Sequence, residues 1–111
     1  MRLAWDDFIQ SMLCGHYFEA HEILEAPWRE TKDRRLQTAI WVAAAYVHLD
    51  RQNPSGARRI LTRILAVEDL DDRDVRRFIQ ARLSELDQGL VPIPPDHALL
   101  AQLRLWAERG N

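Results

Sequence analysis

The chain has 111 residues, 47% of them hydrophobic and 29% charged, with four Trp and a formal net charge of −2. That length and apolar content suit one folded domain over residues 1–111 and exclude a disordered segment. The near balance of charge argues against nucleic acid as a partner, and the single cysteine, Cys14, excludes both an internal disulfide and a four-cysteine zinc site.

Apolar residues recur at helical spacing along the chain, and no alternating strand pattern is present. The fold class predicted is all-α: a compact bundle of five to six helices. Trp5, Phe8, Ile9, Met12 and Leu13 form the stripe of a first helix, and Gly15 ends it. Asp6 and Asp7 interrupt this N-terminal run, so it does not read as a secretory signal. A second helix is predicted from about His16 to Arg29 and a third from about Arg34 to Arg51. The third is rich in Ala and apolar almost all round from Ala39 to Val47, which marks it as the central helix. That run is about half as long as a bilayer span, so a cytoplasmic protein with no membrane partner is expected.

Asn53-Pro54 opens a fourth helix, because Asn caps and Pro suits the first helical position. Its stripe is Ala57, Ile60, Leu61, Ile64 and Leu65. Asp71 or Asp72 caps a fifth, with Val75, Phe78, Ile79, Leu83 and Leu86 inward. Gly89 to Pro95 must be extended, since a proline disfavours helix at the residue before it. Asp96 then caps a last helix carrying Leu99, Leu100, Leu103 and Trp106.

The polar residues that stand out lie on the second and third helices. Tyr17, His21, Leu24 and Trp28 share one helical stripe, and Glu25 follows His21 by four residues on the same side. Phe18 and Glu22 border the stripe, Glu19 faces solvent, and Pro27 is expected to kink or tighten the last turn. His48 shares a side of the third helix with Ala44 and Trp41, and a short helical hairpin brings it toward His21. The predicted core anchors are Tyr17, Leu24, Trp28 and Trp41. The candidate polar cluster is His21, Glu22, Glu25 and His48, of which His21, Glu25 and His48 are the candidate metal ligands. One reading makes His21 and Glu25 a hydrogen-bonded core pair, as buried polar groups require. The other makes the cluster a metal or acid–base site. The run lacks the second histidine of the zinc-protease helix motif, and no tightly bound cofactor is expected.

Arg51, Arg58, Arg59 and Arg63 read as a solvated basic face. Arg73, Arg76, Arg77 and Arg82, set among Asp69, Asp71, Asp72, Asp74 and Glu85, read as salt-bridged surface. Cys14 lacks the basic setting of a reactive thiol. No phosphate loop, dinucleotide fingerprint or nucleophile elbow is present. One helix-hairpin unit of tetratricopeptide-like spacing is visible, compatible with a concave surface that takes a helix or peptide.

Tyr17-Phe18-Glu19-Ala20-His21-Glu22 with Glu25 and Trp28, then the Ala-rich helix ending in His48, then Asn53-Pro54 with Gly56-Ala57, resembles the small prokaryotic family known as domain of unknown function 309. The resemblance runs from Gly15 to about Leu65. It implies an all-helical domain and no activity. The family's paired His-Glu falls on His21 and Glu22, its next Glu on Glu25, its Trp on Trp28 and its later His on His48. The chain departs from the pattern with Leu13 and Cys14 before the first turn's glycine, with Trp41 where a Gln is frequent, and with Pro27. The expected function is a binding or interaction module of unknown ligand, self-associating as a homo-oligomer through exposed aromatics such as Trp5 or Trp106. The alternative is a metal-dependent hydrolase built on His21, Glu22, Glu25 and His48.

Overall fold

The computed structural model describes residues 2–110, and these form six helices and no strand. They are α1 (Arg2–Leu13), α2 (Tyr17–Thr31), α3 (Arg34–Asp50), α4 (Pro54–Leu65), α5 (Arg73–Asp87) and α6 (His97–Arg109). None is long and apolar enough to cross a membrane.

Local chemistry sets the helix ends. The side chains of Asp33, Asn53, Asp72 and Asp96 each accept from a backbone N–H of the first turn of α3, α4, α5 and α6. Of the two aspartates proposed to cap α5, Asp72 does so, through Val75 N. Pro27 lies inside α2 without ending it. The helix runs on to Thr31, whose hydroxyl donates to the Pro27 carbonyl at 3.2 Å, and stops at Lys32 with φ +54°.

α3 packs against α2, α4 and α6, as its Ala-rich sequence predicts. Ala39, Ala43 and Ala45 are wholly buried in it, and such small side chains let neighbouring helices approach closely. One hydrophobic cluster joins all six helices. Residues 88–96 cross the surface without helix, with Val91 and Ile93 outward and Pro92 and Pro95 buried. The Tyr46 hydroxyl donates to the Ile93 carbonyl and ties this strap to α3, and burial holds that hydroxyl far above its ordinary pKa.

Trp5 and Trp106 correct the expectation of exposed aromatics. They are 1% and 0% exposed, and neither offers a surface for self-association. Each obeys its own helical stripe: Trp5 meets Phe8 edge-on at 5.5 Å, and Trp106 closes the base of the bundle.

Candidate functional site

The stripe on α2 forms one wall of a groove whose floor is α3. Leu24 alone of the four predicted anchors is fully buried. Tyr17, Trp28 and Trp41 pack against the core from its edge and stay partly exposed. Burial raises the Tyr17 hydroxyl pKa, and the Asp50 carboxylate adds to the rise.

His21, Glu25, Trp28, Gln37, Ile40, Trp41 and Ala44 line a depression of about 200 Å³ between α2 and α3. His21 Nδ1 stands 3.3 Å from Glu25 Oε1, with the two side chains 27% and 26% exposed. The contact is close enough for an ion pair but is not aligned as a hydrogen bond, so His21 Nδ1 is buried without a hydrogen-bonding partner. Arg29 approaches the other oxygen of Glu25 at 3.7 Å. Trp28 Nε1 is also buried without an acceptor. Lys32 Nζ lies 4.2 Å from the Trp28 ring centroid, over its face.

A second depression, of about 180 Å³, shares His21 and Ala44 with the first and adds Phe18, Val47, His48 and Arg51. His21 and His48 thus border one hollow, as the hairpin reading expected. The His48 side chain is nevertheless engaged elsewhere: its Nδ1 pairs with Asn53 Nδ2 at 3.0 Å, while Asn53 Oδ1 accepts from Gly56 N. An added Cβ at Gly56 would lie 2.5 Å from Asn53 Nδ2 and 2.6 Å from His48 Nδ1, so any larger residue there would displace this pair. Sequence reasoning treated His48 and the α4 cap separately. Their five-residue spacing across a turn was the available signal.

Glu22 is exposed on the outer face of α2 and lines neither depression. Of the four proposed site residues, His21 and Glu25 are paired, His48 is adjacent and Glu22 is apart. Among the described residues no three His, Cys, Asp or Glu side chains converge in an arrangement able to hold a metal ion. Gln37 was not singled out from the sequence, although it lies one helical turn before Trp41 on the floor of the groove.

These features define a class: a six-helix α bundle with a half-open, mixed polar and aromatic groove on its second and third helices. Residues 5–60 match the family described as Domain of unknown function (DUF309), and the chain belongs to that family. The matched segment contains the α2 wall and the α3 floor of the groove. The chain is also similar to "Uncharacterized protein YpuF" of Bacillus subtilis (strain 168), at 35% identity over 81 residues, covering 67% of this chain and 46% of that protein. The chain therefore spans less than half the length of this relative. No solved structure matches it.

Proposed function

We propose that the protein is a binding module whose ligand seats in the α2–α3 groove. The observation that carries this reading is the pair of buried, unpartnered polar atoms, His21 Nδ1 and Trp28 Nε1, on two residues that line one depression. Such atoms are rare in folded proteins, because each forgoes hydrogen bonds it had in water. Trp28 can only donate, Glu25 as a carboxylate can only accept, and His21 can do either. Set around Trp41 and Ile40, they supply a few oriented polar groups on an apolar surface, which is the common chemistry of a recognition site.

The test is a ¹⁵N correlation spectrum recorded against a panel of small carboxylates and amides. The four indole N–H signals are first assigned through Trp→Phe variants. Ligands that shift the Trp28 signal together with His21 are expected, and His21→Ala should weaken them. A panel whose hits all shift residues outside the groove would defeat the proposal. The same titration with zinc or manganese addresses the metal-dependent hydrolase reading. It requires stoichiometric metal at His21 and Glu25, with hydrolytic activity that follows the metal.

A further inference from the structure

We infer that the groove receives an acidic amphipathic helix of a partner protein; this rests on the α2–α3 groove being the ligand site. Arg34, Gln37, Trp41, Ala44, His48 and Arg51 follow one another at spacings of 3, 4, 3, 4 and 3, so they form a single stripe along α3. Every one of them is partly or fully exposed, although the opposite face of α3 is the centre of the core. Three depressions follow this stripe end to end. The middle one shares Gln37 and Trp41 with its neighbour toward Arg34 and Arg63, and shares His21 and Ala44 with its neighbour toward Arg51. The stripe runs the length of a 17-residue helix, about 25 Å at the α-helical rise. A row of depressions of that length, with Ile40, Trp41, Ala44 and Val47 among its lining, suits the apolar face of another helix of similar length.

The charges name the partner's other face. Among the described residues Arg34, Arg51 and Arg63 form no ion pair, as is also true of Arg2, Arg59, Arg73, Arg76 and Arg77, while Arg29, Arg35, Arg58, Arg82, Arg104 and Arg109 each have a carboxylate partner. Arg34 and Arg63 stand at one end of the groove and Arg51 at the other. Arg63 lies over the Trp41 ring with its guanidinium 5.5 Å from the centroid, and Arg51 lies over Phe18 at 5.7 Å. Lys32 covers Trp28 in the same way. Cations resting on aromatic faces keep their N–H groups free for carboxylates. The carboxylates in the lining are Glu25, which Arg29 approaches at 3.7 Å, and Glu68 at the Arg63 end. In a chain of net charge −2 the groove lining thus holds three arginines against two carboxylates, with Lys32 beside it, a balance suited to steering an acidic partner. The overall negative charge and apolar floor favour a protein helix over RNA, which needs phosphate contacts along its length.

The test pans a displayed library of helical 16-residue peptides against the protein. Recovered binders should be acidic, with apolar residues at i, i+3, i+4 and i+7, and should shift the Trp28 and Trp41 indole signals. The variants R34E/R63E and R51E should each lower their affinity about tenfold, and added salt should do the same, because the lost attraction is electrostatic. Circular dichroism should show both variants fully helical, as these side chains are exposed. Neutral or basic binders that still shift Trp28 would overturn the acidic partner and leave the groove as a site. Binders that leave Trp28 and Trp41 unmoved would overturn both, and so would an empty selection with no small-molecule hit in the groove. Tighter binding of a single-stranded RNA 12-mer than of any peptide would also overturn the inference.

Discussion

Trp106 and Trp28 each sit under a cation, and they differ in what the indole N–H meets. At Trp106 the N–H donates to the Asp69 carbonyl at 3.1 Å and to Asp71 Oδ1 at 3.0 Å. Arg35 lies over that ring, donates to Asp69 Oδ2 at 2.8 Å and returns to the Trp106 carbonyl at 2.7 Å. At Trp28 the N–H meets nothing and the ring is half open. The indole N–H is satisfied from within at one end and unmet at the other, although Asp69 Oδ1 at the first end is also buried without a partner. The first is built from α3, α6 and the loop after α4; the second from α2 and α3, with the end of α4 and the start of the loop after it.

The largest effect should come from the closed end. Trp106→Ala removes a side chain that is 0% exposed together with the N–H it donates to the Asp69 carbonyl and Asp71 Oδ1. A loss of roughly 3–5 kcal/mol is expected, much of a small domain's stability. Urea denaturation measures it. A loss under about 1 kcal/mol would erase the contrast between the two tryptophans.

Asp72 gives the next effect. Its side chain caps α5 and accepts from Gln102 at 2.6 Å, with Arg109 at 3.4 Å. Burial pushes its pKa up, but the hydrogen bonds from Gln102 and the backbone of α5, with the charge of Arg109, outweigh burial and hold it below the usual carboxylate value. At Asp69 the hydrogen bond from Arg35 leads in the same direction. A depressed folded-state pKa adds stability that is complete above the ordinary value of about 4 and fades as the pH falls through the folded value. Stability should thus hold constant from neutrality to about pH 5 and drop below about pH 4. Asp72→Ala should cost roughly 1–3 kcal/mol at neutral pH and flatten that acid limb, which unfolding curves at stepped pH will show.

What was legible in the sequence follows the same division. Caps are local, so Asn53, Asp72 and Asp96 could be placed from their neighbours in sequence. The pairing of His21 with Glu25 could be placed too, because four residues is one helical turn. The closed end was not legible, since Trp106 finds its acceptors 35 and 37 residues away. Reading Trp106 and Trp5 as exposed also set aside their own stripes, which pointed inward. The groove was hidden for another reason. The apolar run from Ala39 to Val47 suggests burial all round, and only the longer stripe from Arg34 to Arg51 shows that one face of α3 stays open.

The open end should respond weakly to mutation. His21 and Glu25 are each about a quarter exposed, and their contact is not aligned as a hydrogen bond. A double-mutant cycle on His21→Ala and Glu25→Ala should return a coupling near 0.5 kcal/mol or less, about the size of other exposed helical pairs. A coupling above about 2 kcal/mol would make the pair a structural lock and move the open end into the class of the closed one.

Trp28→Phe should give the smallest change and separates the two ends most directly. Phe keeps the aromatic face beneath Lys32 and most of the packing against the core. It deletes an N–H that has no acceptor within the protein, so the substitution removes an unsatisfied group rather than a bond. Stability should stay within about 0.5 kcal/mol of the parent, and a slight gain is as consistent as a slight loss. The same change at Trp106 strips a bonded N–H from the Asp69 carbonyl and Asp71, and should cost roughly 1–3 kcal/mol. Ligand response should show the reverse order. Groove ligands should lose affinity in Trp28→Phe and keep it in Trp106→Phe, because the Trp106 N–H is already bonded to Asp69 and Asp71 and lies outside the groove. If Trp28→Phe proved as destabilising as Trp106→Phe, the N–H of Trp28 would have a structural partner, and the groove would lose the donor on which its binding role depends.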